Sequence, residues 1–153
     1  MATPDGITTE DWDRVHELAL EVVNLSAEDD EAGSDAAKIQ LRELLDDLQE
    51  KYGPLPSLLA TRADYVERVE DSEYWLTAAY EQAAARRDAK NLVWIAASLA
   101  TLFVEDARDP ARGAEWLARL DELLLVSPDP WERAEADRLR AIRKARDSGG
   151  ARG

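Results

Sequence analysis

Carboxylates are the one abundant reactive group in this chain of 153 residues: 33 Asp and Glu stand against 19 Lys and Arg, a single histidine and no cysteine. Glu43, Asp46, Asp47 and Glu50 fall on successive turns of one predicted helix, and Glu67, Glu70, Asp71 and Glu73 follow in the next stretch. Two such pairs facing each other across a bundle supply the hard oxygen ligands that Mg²⁺ prefers. Against that, Asp46 and Asp47 look outward beside a continuous leucine stripe, and only Lys51, Arg62 and Arg68 stand near enough in sequence to receive a phosphate. A solvated acidic face accounts for the run with nothing added, so neither a catalytic group, a metal nor a cofactor is assigned. The absence of cysteine removes thiolate nucleophiles, disulfides and Cys-based zinc sites. His16 reads as a surface or boundary residue of the first helix, and no glycine-rich phosphate loop is present.

What remains is recognition. Five tryptophans (Trp12, Trp75, Trp94, Trp116, Trp131) lie on or beside apolar stripes, where most of them belong to the core. Trp116 sits just off the Leu117–Leu120–Leu124 line, Trp131 opens a helix, and Trp12 is flanked by Asp11 and Asp13. These three are the candidate anchors, since exposed Trp is enriched at binding hot spots. Glu43, Asp46, Asp47 and Glu50 join them as candidates for a charged contact. The net charge of −14 is unevenly spread: residues 1–50 hold 15 acids against three bases, whereas residues 51–153 hold 18 against 16. Nucleic acid is repelled by such a chain, and a partner with a basic surface complements its acidic head.

The elements that position these residues are helical, because Ala, Leu, Glu and Arg dominate and no stretch alternates as a strand does. Thr8 caps a first helix reaching about Ser26, with Trp12, Val15, Ala19, Val22 and Val23 as its stripe. An acidic loop, Glu28 to Ser34, leads to a second helix capped by Ser34 and stopped by Gly53, Pro54 and Pro56. A third helix spans Ser57 to about Val69, and a fourth starts at Asp71 or Ser72. A fifth begins near Asp88 and is apolar almost all round, Trp94 included, so it belongs at the centre. Asp109-Pro110 and Asp129-Pro130 open the last two. The seventh holds on by Trp131, Ala134, Leu139 and Ile142 and frays into Ser148-Gly149-Gly150.

The spacing predicts an all-α fold of about seven antiparallel helices, a bundle or a short stack of helical hairpins. It reads as one domain over 1–153, divisible into an acidic hairpin (8–53) and a hairpin core (56–148), with a disordered tail at 149–153. Trp75-Leu76 and Trp116-Leu117 recur 41 residues apart, and Trp94 and Trp131 recur at 37, where Ala97 also matches Ala134 and Leu102 matches Leu139. A period near 40 built of two helices marks stacked hairpins. Over roughly 72–147 the chain resembles the tetratricopeptide family, whose first helix carries W-x2-L-G-x2-Y: Trp94, Ala97, Ser98 and Thr101 stand at that spacing, with Thr101 in place of the aromatic. That resemblance implies a scaffold binding a peptide or a domain in a concave groove.

The function expected is therefore that of a non-catalytic interaction domain. One alternative is an acidic inhibitor of the immunity or antitoxin kind, directed at a basic toxin or nuclease. Another is a Mg²⁺-dependent enzyme resembling the all-α nucleotide pyrophosphohydrolases. Self-association is open too, since the ends differ in charge. With no signal sequence and no apolar run long enough for a span, a cytoplasmic protein away from membranes is expected.

Overall fold

The computed structural model describes residues 3–150 and is helical, with no strand among those residues. Its helices are α1 (Thr9–Ala27), α2 (Glu31–Tyr52), α3 (Pro56–Ala63), α4 (Val69–Ala85), α5 (Ala89–Thr101), α6 (Pro110–Val126) and α7 (Pro130–Gly150); a π turn, Leu102–Asp106, prolongs α5. Each helix packs on the next, and α5 additionally touches α3 and α7. Alternate helices α3, α5 and α7 thus share a side, with α4 and α6 behind them.

Three interlocking clusters make the core. Val15 of α1 and Leu41, Leu44, Leu45 and Leu48 of α2 close around Ile7, Leu55 and Leu58. A second cluster joins Leu59, Leu76 and Ala79 to Ile95, Leu99 and Phe103. In the third, Val93, Ala96 and Ala100 meet Leu117, Leu120 and Leu139. Helix α5 therefore buries two faces, which is what its near-continuous apolar sequence demands. The short α3 sends Leu58 into the first cluster and its neighbour Leu59 into the second. Burying each such leucine contributes about 1.5–3 kcal/mol.

The helix junctions follow one chemical rule. Asp29, Arg87 and Arg108 adopt left-handed backbone (φ 59°, 53° and 49°), and an aspartate follows each as the next N-cap. Asp30 accepts from the Gly33 amide at 2.9 Å, Asp88 from Asn91 at 3.1 Å and Asp109 from Arg112 at 3.1 Å. Gly53 ends α2 at φ +83°, ψ −174°, a conformation closed to residues with a Cβ.

Several expectations are corrected. Helix α2 begins at Glu31 under Asp30, not at a Ser34 cap: Ser34 is buried and its hydroxyl donates to the Val22 carbonyl of α1 at 3.2 Å. Helix α3 ends at Ala63 rather than near Val69, because Arg42 Nε takes the Tyr65 carbonyl at 2.7 Å and holds that stretch out of the helix. Val23 is 62% exposed and Trp94 39%, each turned off its predicted stripe. On α7 it is Ala136, not Ala134, that is buried. That helix also continues through Ser148, Gly149 and Gly150, since glycine weakens a helix by only about 1 kcal/mol and no proline intervenes. The remainder of the predicted disordered tail, residues 151–153, lies outside the described residues.

One cap is supplied from far away. Helix α3 has no side-chain cap of its own, and Asp5 takes both the Ser57 amide and the Ser57 hydroxyl at 2.7 Å across 52 residues. The segment ahead of α1 is thereby fixed, with Ile7 fully buried.

Candidate functional site

The α5–α7 face presents a groove of about 330 Å³ lined by Ala97, Ser98, Thr101, Trp131, Glu132 and Glu135. Its α5 wall is built from residues one turn apart, Trp94, Ser98 and Thr101, the stripe left uncovered where α5 faces neither of its clusters. Its α7 wall starts at Asp129, whose carboxylate accepts from the Trp131 amide at 3.0 Å and the Glu132 amide at 3.2 Å. The second Asp129 oxygen accepts from the Trp94 indole at 3.2 Å, so the helix opening and the α5 wall are fastened together. Pro130 at the first helical position then leaves Trp131 pointing off the start of α7, where nothing covers it: it is 85% exposed.

Charge in the groove is divided. Glu135 accepts from Arg138, which also binds Glu105, and from Thr101 at 3.2 Å. The Arg138 hydrogen bonds hold its carboxyl below the usual range. Glu132 is pushed the other way, first by burial and then by the Asp129 and Glu135 carboxylates. No ion pair relieves Glu132 among the described residues. Beyond the groove, Leu125 and Val126 at the end of α6 are 82% and 77% exposed. Trp94, Leu125, Val126 and Trp131 thus gather apolar surface at one end of the molecule.

Of the residues singled out from sequence, this face contains only Trp131. Trp12 is half-buried against the first cluster and meets His16 edge-on at 5.7 Å. Trp116 is also half-buried, edge-on to Tyr80 at 4.9 Å, with the Arg119 guanidinium 4.5 Å above its ring. Glu43, Asp46, Asp47 and Glu50 are exposed on α2, far along the chain of packed helices from α7. Asp46 is taken by Arg62, whose guanidinium also lies 4.9 Å over Trp75. The second carboxylate run does not converge with the first: Glu73 binds Arg112, and Glu70 sits 3.4 Å from Arg68. Among the described residues no three His, Asp or Glu side chains approach closely enough to hold a metal ion.

Sequence reasoning passed over Trp94, Asp129 and Glu132. The signal for Trp94 was its 37-residue match to Trp131, two indoles at equivalent positions of alternate helices. No protein-family model, curated protein or solved structure matches this chain. No described helix is long and apolar enough to cross a membrane.

Proposed function

We propose that the chain is a non-catalytic helical scaffold that recognises a protein partner on the α5–α7 face. The observation that carries this reading is Trp131, held at 85% exposure on the rim of a groove with Trp94 beside it. A Trp side chain offers 150–250 Å² of surface, so covering it is worth roughly 4–5 kcal/mol to a complex. The sharing of one side by α3, α5 and α7 adds support, since stacked helical hairpins bind partners along such a side. Glu132, without a cation of its own, favours a basic side chain in the partner.

The experiment is capture from lysate of the source cells by the tagged full chain, with Trp131→Ala as the paired bait. A captured protein that survives high salt and is lost with Trp131→Ala supports the reading; one retained equally by both baits ends it.

A second reading, an acidic inhibitor of a basic toxin or nuclease, is favoured by a separate observation. Of the 15 acids within residues 1–50, all but Asp5 and Asp11 are exposed. Leu20 and Val23, one turn apart on α1, are each 62% exposed among them. Such a complex weakens steeply with ionic strength and is indifferent to Trp131. Light scattering at low and high salt distinguishes either partner from a second copy of the chain.

A further inference from the structure

The C-terminal end of α5 carries a second cavity, apart from the groove. Here the helix widens into its π turn, and the Ala107 amide reaches back to the Leu102 carbonyl at 2.8 Å. The Asp109 amide goes to Phe103 at 2.8 Å, which leaves the Val104 carbonyl to an Arg146 guanidinium from α7. Between the turn, the start of α6 and the last turns of α7 lies a space of about 70 Å³. Phe103, Val104 and Pro110 supply its apolar lining; Arg108, Arg143 and Arg146 surround it, with Asp147 as the one carboxylate.

Three guanidiniums around one small cavity are out of character for a chain of net charge −14. Elsewhere Arg62, Arg112, Arg133, Arg138 and Arg140 each rest on a carboxylate. Arg108 and Arg143 form no ion pair among the described residues, although Asp147 borders the same space. A guanidinium presents paired N–H groups matched to a carboxylate, and apolar walls lower the dielectric in which they act. Since one water needs about 10–15 Å³ by this measure, the cavity has room for a handful of heavy atoms, too few for an aromatic ring system or a nucleotide.

We propose that this cavity binds a carboxylate borne on a short branched aliphatic group, the carboxylate between Arg108 and Arg143 and the methyl groups against Phe103, Val104 and Pro110. A free branched-chain acid and the C-terminal residue of a peptide both present that chemistry. The site is independent of the α5–α7 groove.

The test is a titration of the full chain with isovalerate, followed through the amide resonances of Val104 and Ala107 in ¹H–¹⁵N spectra. Isovaleramide supplies the shape without the charge, and inorganic phosphate the charge without the methyl groups. A tetrapeptide ending in valine, with free or amidated C-terminus, separates the peptide source from the free acid. Saturable shifts from isovalerate or the free-acid peptide, absent with both amides and with phosphate, are expected. Arg143→Gln is expected to weaken binding at least tenfold, and the exposed Arg108→Gln repeats the test should Arg143→Gln alter the melting curve. No saturable shift from either acid at about 20 mM, where even millimolar affinity registers, overturns the proposal. So does equal binding of acid and amide, or affinity unchanged in both arginine variants.

Discussion

Lys51 Nζ lies 2.8 Å from Oδ2 of Asp11, tying the last turn of α2 to the first turn of α1. The Tyr52 hydroxyl donates to the same oxygen. The lysine first, and then the tyrosine, hold the Asp11 carboxyl at about 2 against its ordinary 3.8. A carboxylate depressed in this way contributes stability that is complete above the unfolded value and is lost as pH falls towards the folded one. The urea-unfolding difference between wild type and Asp11→Asn should therefore be constant near neutrality and shrink from about pH 4 to about pH 2. A gap that stays flat through that window would contradict the assignment.

Gly113 is set by close approach rather than by backbone freedom. A Cβ built on it stands 3.0 Å from Cγ2 of Val104, in the seam between α6 and the π turn. Forcing a large side chain into a packed seam costs about 1–3 kcal/mol. Gly113→Leu should lower the unfolding midpoint accordingly, with Gly113→Ala falling between it and the wild type.

Arg87 occupies left-handed backbone at φ 53° and is exposed. A side chain there costs about 1–2 kcal/mol, part of which glycine returns as unfolded-state entropy. Arg87→Gly is expected to stabilise by roughly 0.5–1 kcal/mol, a rise of about 2–4 °C in Tm. Calorimetry showing a lower Tm would mean that the arginine makes a compensating contact.

Leu99 is fully buried at the middle of α5. Leu99→Ala deletes three carbons where neighbours on several helices cannot all move inwards, and a loss of about 3 kcal/mol is expected from urea unfolding. A loss under about 1 kcal/mol would show a core far looser than the packing implies.

How much of this was readable in advance depends on the range over which each feature is determined. The caps at Thr8, Asp88 and Asp109, the stop at Gly53 and the central place of α5 all rest on neighbours a few residues away, and each is where local pattern puts it. The Asp5 cap on α3 reaches across 52 residues, and no local rule points to it. Ser34 shows the same limit: a hydroxyl suited to a cap is instead spent on Val22 of another helix. The candidate face was legible in one residue. Trp12, Trp116 and Trp131 all stand at the edge of a stripe, and which of them is covered depends on Tyr80, Arg119 and the first cluster, supplied by packing. Arg108 and Arg143 lie 35 positions apart and meet only because α7 runs back past the end of α5.

The π turn gives the chain a property that no side chain confers. A turn closed five residues back holds one residue more than an α-helical turn does, so the strand of backbone from Leu102 to Asp106 carries a surplus position. Deleting one residue there lets the segment tighten into ordinary helix with little loss of bonding, yet it rotates everything downstream by about 100°. Arg108 would swing away from Arg143 while keeping its identity. The meeting of those two guanidiniums is thus encoded in chain length, and an insertion or deletion between them is a sharper perturbation than most substitutions.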